Sequence, residues 1–125
     1  HCQRDQKANC LSIYKSLFDH DGPWSYNKKE LNDYYNLYLD LMNFWEKKFP
    51  GEIYKIKYED LVVNSDHEIK KLIDVLNIGW NESCLKFYEN KNAIKTLSVN
   101  QARNKIYSSS LSMYEKYKPF LKDFL

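Results

Sequence analysis

Residues 1–12 read HCQRDQKANCLS and contain the change from strand to helix that decides the fold class. Residues 1–3 are typical of the last residues of a strand, and the polar residues 4–7 predict a turn into a helix over about residues 9–18. A helix that begins where a strand ends presents free backbone N–H groups and a partial positive charge, which attract anions. The stretch therefore predicts an α/β protein with an anion site at the start of its first helix.

The longest periodic segment follows at residues 27–49. Large apolar side chains recur there every three or four positions, which predicts one amphipathic helix that begins after Asn27 and ends at Pro50-Gly51. We expect the stripe to lie mainly in the core. Its core residues are predicted to be Leu31, Tyr35, Tyr38, Leu41, Met42 and Trp45.

Further elements follow in alternation. Residues 54–58 alternate apolar and lysine side chains and predict a second strand. Ser65 and Glu68 form a capping-box pattern, which predicts a helix that starts at Ser65 and ends before Gly79. A shorter helix near residues 81–88, a polar loop and a last helix near residues 110–117 complete the chain. Strand and helix alternate too few times to close a sheet, so we expect one half of an α/β domain.

Length, charge and cysteine content exclude several classes of protein. The chain has 125 residues, enough for one domain, and 19 basic against 17 acidic side chains leave a formal net charge of +2. This balance argues against a binder of nucleic acid or of an anionic membrane, and no stretch resembles a membrane span or a signal peptide. Cys2, Cys10 and Cys84 lack metal-ligand spacing and disulfide pairing, so we expect a cytoplasmic protein without a metal site.

Arginine is scarce in this chain. Seventeen of the 19 basic residues are lysine, and the two arginines are Arg4 and Arg103. Guanidinium is a planar fork of donors that suits phosphate, so both positions are candidate anion contacts. Arg4 lies at the end of the predicted strand, and Ser12 lies about one turn into the predicted helix. Both could therefore reach one anion at the start of that helix. The alternative is that Arg4 pairs with a carboxylate such as Asp5 at the surface.

Two other segments are candidates for nucleotide contacts. Tyr58 ends the predicted second strand, where its ring could stack on a base or could belong to the core. The polar loop at residues 96–105 contains Arg103 and Lys105 and could close over a phosphate, although many such loops are only solvated. There is no glycine-rich phosphate loop and no nucleophile, base and acid at catalytic spacing.

These signals occur together in one known family. The matching motifs are Arg4-Asp5 with Ser12 eight positions after the arginine, the aromatic helix over 34–45, PG at 50–51, YEDL at 58–61, TLSVNQAR at 96–103, IY at 106–107 and SS at 109–110. In this combination the sequence resembles, over nearly its whole length, the C-terminal half of nucleotide-dependent sulfotransferases. The resemblance is greatest to the bacterial group that is often fused to tetratricopeptide repeats and is related to protein-tyrosine sulfotransferases.

The resemblance implies a fold, a reaction and a set of contacts. The fold would be the helix-rich C-terminal half of a P-loop-like α/β domain with a short parallel sheet, so that residues 1–125 form one sulfotransferase domain whose N-terminal half is missing. The reaction would move a sulfuryl group from 3′-phosphoadenosine 5′-phosphosulfate (PAPS) to a hydroxyl without a metal. Arg4 and Ser12 would hold the 3′-phosphate, Tyr58 would contact adenine, and Ser98 with Arg103 would come from the C-terminal loop.

The same resemblance places the 5′-phosphosulfate loop and the catalytic base in the missing half. We therefore expect this chain to bind the nucleotide without transferring sulfate alone. The acceptor stays open among proteins, carbohydrates and small molecules, and so does an oligomeric state. The alternative function is a non-catalytic helical module whose tyrosine and tryptophan face binds a protein partner.

Overall fold

The computed structural model describes residues 1–16, 22–93 and 101–121. Helices dominate these ranges and two short strands accompany them. The strands are β1 (Cys2–Gln3) and β2 (Ile56–Lys57), and the helices are α1 (Gln6–Tyr14), α2 (Lys28–Lys48), α3 (Tyr58–Val63), α4 (Ser65–Val75) and α5 (Ser109–Tyr117). Short 3-10 helices cover Pro23–Tyr26, Glu82–Glu89, Gln101–Arg103 and Lys118–Phe120.

The two strands form a parallel pair. Cys2 lies opposite Ile56 and Gln3 opposite Lys57, and the Ile56 N–H donates to the His1 carbonyl at 3.0 Å. Parallel strands require a crossover connection, which α1 and α2 provide here. This confirms the predicted helix-rich chain with a short parallel sheet. The second strand is shorter than the predicted residues 54–58, because Tyr58 is already the first residue of α3.

Helix α1 begins three residues earlier than the sequence predicted. The Asp5 carboxylate accepts a hydrogen bond from the Ala8 N–H at 2.8 Å and so caps the helix at Gln6. Aspartate is a preferred N-cap because its side chain satisfies a backbone donor that has no partner inside the helix. Of the predicted turn at residues 4–7, Gln6 and Lys7 therefore belong to the first turn of α1, and Asp5 is its N-cap.

Helix α2 begins and ends where the sequence predicted. The Asn27 side chain accepts from the Lys29 and Glu30 N–H groups at 2.9 and 3.2 Å. The helix ends after Lys48, and Gly51 has a φ of 82°, a left-handed conformation that favours glycine.

Helix α4 differs from the prediction at both ends. Its N-cap is Asn64 and not Ser65, whose hydroxyl donates to Asp66 at 3.3 Å. After the helix, Asn77 has a φ of 52° and reverses the chain two residues before Gly79. Asparagine tolerates the left-handed region better than most residues, so the turn does not need the glycine.

The core surrounds α1. A buried cluster joins Cys10 and Leu11 of α1 to Leu31 of α2 and to Leu121 near the end of the described chain. Partly buried side chains extend it, namely Ile13, Trp24, Tyr35 and Tyr114. Helix α1 thus connects α2 on one side with α5 and the following segment on the other.

The predicted core stripe of α2 is only partly correct. Leu31 is 1% exposed and Tyr35, Tyr38 and Met42 are half-buried, but Leu41 and Trp45 are exposed. The reason is length, since α1 has 9 residues and α2 has 21. The later turns of α2 extend beyond the cover that α1 can give.

Candidate functional site

A small cavity lies between α1 and α5. Along α1 its wall is formed by residues at helical spacing, and Arg4 stands directly before that helix. The lining residues are Arg4, Ala8, Leu11, Ser12, Lys15 and Ser16, with Ser110, Met113 and Tyr114 opposite them. The cavity has a volume of about 210 Å³, and none of its lining residues is acidic.

Arg4 is one of the two cationic residues that line this cavity, together with Lys15. Its guanidinium carbon lies 4.7 Å from the centroid of the Tyr58 ring, a cation–π contact. The Arg4 Nε atom is buried and has no hydrogen-bond partner in the described part of the chain. A buried donor without a partner costs about 1–3 kcal/mol. Because Nε has almost no accessible surface, a ligand in the cavity would have to bind the other N–H groups of the guanidinium.

Tyr58 contacts two residues that line the cavity, Arg4 and Ser110. Its hydroxyl lies 2.5 Å from the Ser110 Oγ, a hydrogen bond in which either oxygen can be the donor. This bond connects the first residue of α3 with α5, although the two residues are 52 positions apart. Tyr58 itself is not a lining residue, so its contact with the cavity runs through Arg4 and Ser110.

The turn that presents Arg4 is held by its neighbour Asp5. The Asp5 backbone N–H donates to the Glu59 Oε1 at 3.1 Å, and the Asp5 carboxylate caps α1. Burial raises the pKa of Tyr114, and the negative charge of the Asp5 carboxylate contributes in the same direction. The carboxylate thus lies at the N-terminus of α1, where the sequence predicted an anion site. The cavity lies along the side of α1 instead.

Lys15 and Ser16 are cavity residues that the sequence analysis did not identify. The Lys15 Nζ lies 4.5 Å from the centroid of the Tyr117 ring, and the Ser16 hydroxyl donates to the Ser12 carbonyl at 2.8 Å. Lys15 is the C-cap of α1 and Ser16 follows it, and both line the cavity together with Ser12. The helix predicted over about residues 9–18 contained both positions, so helical spacing from Ser12 would have identified them.

The C-terminal candidates lie elsewhere. Ser98 lies outside the described residues. The Arg103 guanidinium donates to the Asn92 carbonyl at 2.6 Å, and the Lys105 Nζ lies 5.6 Å from the centroid of the Tyr88 ring. Neither Arg103 nor Lys105 lines the Arg4 cavity. The structure therefore brings Arg4 and Ser12 to one cavity and leaves Arg103 apart from it.

A larger and mainly apolar groove lies on the other side of α1. It has a volume of about 470 Å³ and lies between α1 and α2. Ile13 of α1 and Leu31, Tyr34, Leu37, Tyr38 and Leu41 of α2 form much of its wall. No cationic side chain lines it, so it lacks the charge that an anion requires.

Two searches of the described ranges gave no site. Across residues 1–16, 22–93 and 101–121, no three histidine, cysteine or acidic side chains are grouped so that they could hold a metal ion. Over the same ranges, no helix has both the length and the apolar character needed to cross a membrane.

Comparison with known proteins gives two matches. Residues 1–82 match the model of a family described as the sulfotransferase family. An uncharacterized protein of Aquifex aeolicus (strain VF5) is 33% identical over 81 residues, which are 65% of this chain and 11% of that protein. The matched part is therefore a small fraction of that relative's length. No solved structure matches the chain.

Proposed function

Because the chain belongs to the sulfotransferase family, we propose that it supplies the adenosine and 3′-phosphate contacts of an enzyme that moves a sulfuryl group from PAPS to a hydroxyl. The observation that supports this most directly is that Arg4 and Ser12 line one cavity, in which no wall residue is acidic. Phosphate oxygens are the acceptors that a guanidinium fork binds best.

The size and charge of the cavity fit one phosphate group. Its volume of about 210 Å³ is below the roughly 300–1,000 Å³ of pockets that enclose a whole small molecule. The rest of a nucleotide would therefore lie outside it. Lys15 adds a second positive charge on the same wall, which favours an anion with more than one negative charge.

The finer assignments are parts of the same proposal. Tyr58 would contact adenine, and Ser98 with Arg103 would approach from the C-terminal segment. Arg103 would have to leave its hydrogen bond to the Asn92 carbonyl to do so. Residues 1–125 would be the C-terminal portion of a bacterial sulfotransferase domain of the tetratricopeptide-associated kind. The acceptor would be a hydroxyl on a protein, a carbohydrate or a small molecule.

The proposed mechanism depends on positioning and charge. Sulfuryl transfer resembles phosphoryl transfer in that little covalent chemistry falls to the protein, and most of the rate comes from alignment and from stabilised charge on the leaving group. The Arg4 cavity would fix the 3′-phosphate and so orient the sulfated end of the donor. The resemblance places the groups that contact that end outside residues 1–125, so binding is the primary test.

Calorimetry with adenosine 3′,5′-bisphosphate tests the proposal. Arg4→Ala should weaken binding by about 1.5–3 kcal/mol, or roughly 10- to 150-fold, because a charged hydrogen bond to phosphate is lost. Lys29→Ala removes one charge on exposed α2 and should leave the affinity unchanged. The affinity for adenosine 5′-monophosphate, which has no 3′-phosphate, should be the same in the native chain and in Arg4→Ala. Equal binding of the bisphosphate by the native chain and Arg4→Ala would refute the assignment of the 3′-phosphate to Arg4.

A radiolabel assay tests whether the chain is active alone. Sulfate transfer in that assay would show that the catalytic groups lie within residues 1–125.

A second candidate function is a protein-interaction module, which the exposed face of α2 favours. Leu37 is 66% exposed and Leu41 is 53% exposed, and both line the apolar groove. Phe44, also 53% exposed, follows Leu41 by one helical turn. Contiguous exposed apolar side chains of this size are typical of interaction sites. If the chain binds no nucleotide, and Leu37→Lys with Leu41→Lys abolishes binding to a partner protein, this function replaces the first.

A further inference from the structure

The two parts of Tyr58 that could recognise a ligand already have protein partners. One is the face of its ring, on which the Arg4 guanidinium lies at 4.7 Å from the centroid. The other is its hydroxyl, which is hydrogen-bonded to Ser110 at 2.5 Å. The side chain is also half-buried at the start of α3. Tyr58 is therefore fixed at both ends before any ligand binds.

The orientation of the Arg4 guanidinium depends on this arrangement of Tyr58. An arginine side chain has many rotamers, and this freedom must be lost when its fork is held for a ligand. The cation–π contact with Tyr58 restricts the guanidinium in advance, and the contact lies beside the cavity that contains Ser12. Preorganisation of this kind increases affinity because less freedom is lost on binding.

We propose that Tyr58 is a positioning residue that holds the Arg4 guanidinium toward the cavity, and that Ser110 anchors Tyr58 for this purpose. The inference rests on the proposed function, since it assigns the 3′-phosphate to Arg4. It gives Tyr58 a role that is separate from any contact with adenine. Part of the effect of a Tyr58 substitution then acts through Arg4, and it appears only with ligands that carry a 3′-phosphate.

The first experiment measures Arg4 without a ligand. The chain has only two arginines, so its spectrum of arginine Nε–Hε groups contains two signals, which Arg103→Lys assigns. We expect the Arg4 signal to show restricted motion in the native chain and to become markedly more mobile in Tyr58→Leu, while the Arg103 signal stays unchanged as an internal control. An Arg4 signal that remains equally restricted in Tyr58→Leu would overturn the proposal.

Milder variants test the anchor and do not remove the ring. Tyr58→Phe and Ser110→Ala each break the same hydrogen bond. Both should increase the mobility of Arg4 by the same intermediate amount, and the double variant should add nothing further. Unequal or additive effects would contradict the anchoring role. If Tyr58→Leu fails to fold, these two variants still test whether Tyr58 restricts the motion of the Arg4 guanidinium.

The second experiment connects positioning with binding. Calorimetry compares adenosine 3′,5′-bisphosphate with adenosine 5′-monophosphate on the native chain, Tyr58→Leu, Arg4→Ala and the double variant. Tyr58→Leu should weaken the bisphosphate about 5- to 10-fold more than the monophosphate, as expected for a lost cation–π contact. This excess should vanish in the Arg4→Ala background. Equal losses for both ligands would show that Tyr58 acts on the base alone.

The two experiments separate this inference from the proposed function. If the native chain does not bind the bisphosphate, the proposed function fails, and the Arg4 relaxation data still show whether Tyr58 holds the guanidinium. If the chain binds the bisphosphate and the losses are equal for both ligands, the proposed function stands and the positioning role fails.

Discussion

Cys10 is a single residue whose burial has a measurable chemical effect. Its side chain is 0% exposed in the centre of the core. Burial raises the pKa of the Cys10 thiol to about 11, and the nearby Asp5 carboxylate contributes in the same direction. In the unfolded chain the thiol ionises near its ordinary value of 9.0. The folded state therefore holds this proton more tightly than the unfolded state does.

We expect the free energy of unfolding to fall as the pH rises from about 9 to about 11. A group with a raised pKa in the folded state contributes stability below its unfolded pKa and loses that contribution as pH passes its folded pKa. Urea unfolding at several pH values measures this. In Cys10→Ala the free energy of unfolding should fall less over this pH range. Part of the fall should remain, because burial also raises the pKa values of Tyr35, Tyr38 and Tyr114. An identical decrease in Cys10→Ala would contradict the expectation.

For individual residues, the sequence could predict only part of the candidate site. Arg4 and Ser12 belong to one continuous turn and helix, so their spacing alone places them near one another. The contact between Tyr58 and Ser110 joins residues 52 positions apart. Nothing local in the sequence indicates which of the 11 tyrosines meets which serine. The separation of Arg103 from the cavity likewise depends on tertiary packing.

At the scale of elements, the end of α2 depends on a backbone conformation. Gly51 has a φ of 82°, and nothing lies within 4 Å of the position that a β-carbon would occupy there. A substitution therefore meets no steric obstacle, and its cost comes from the left-handed backbone alone.

We expect Gly51→Ala to lower the free energy of unfolding by about 1–2 kcal/mol, the cost of placing an L-residue in the left-handed region. Gly79→Ala is the matched control, because Gly79 has no positive φ and no atom within 4 Å of the added carbon. It should be neutral or slightly stabilising, since alanine restricts the unfolded chain. Chemical denaturation of both variants measures the difference. Equal effects of the two substitutions would show that the left-handed conformation at Gly51 has no specific cost.

Elements with strong local signals were predicted more accurately than elements without them. Helix α2 has both a capping residue and a long apolar period, and its bounds agree with the prediction. Strand β2 is only two residues long because α3 begins at Tyr58, a change that the alternation of residues 54–58 does not indicate. At α4, Asn77 performs the role that the sequence assigned to Gly79, because asparagine tolerates a left-handed turn. Asn64 takes the N-cap position predicted for Ser65, but its side chain makes no capping hydrogen bond.

Within residues 1–16, 22–93 and 101–121, the core is small and α1 is at its centre. Among the described residues, the buried hydrophobic side chains are Ala8, Cys10, Leu11, Leu31, Ile56 and Leu121. A core of this size leaves little stability in reserve, since folded domains are stable by only about 5–15 kcal/mol. Each large buried side chain therefore has a strong effect on folding.

Leu31→Ala should destabilise the fold by about 2–5 kcal/mol, because it removes apolar contact and leaves a cavity at a position that is 1% exposed. Leu37→Ala makes the same chemical change on the same helix at a side chain that is 66% exposed, and should cost much less. Circular dichroism during urea unfolding compares the two. Similar costs would mean that the face of Leu37 is covered in solution.

The parallel pairing of β1 and β2 also has a consequence for the order of folding. Cys2 pairs with Ile56, 54 positions further along the chain, whereas α1 and α2 can each form from local contacts. Closing a long loop costs entropy before the strand contacts can compensate for it. The helical crossover should therefore collapse first, and the sheet should be completed only after α1 and α2 have packed. Slow refolding phases are then expected to report on the strand pair, and substitutions at Ile56 should accelerate unfolding more than they retard the initial collapse.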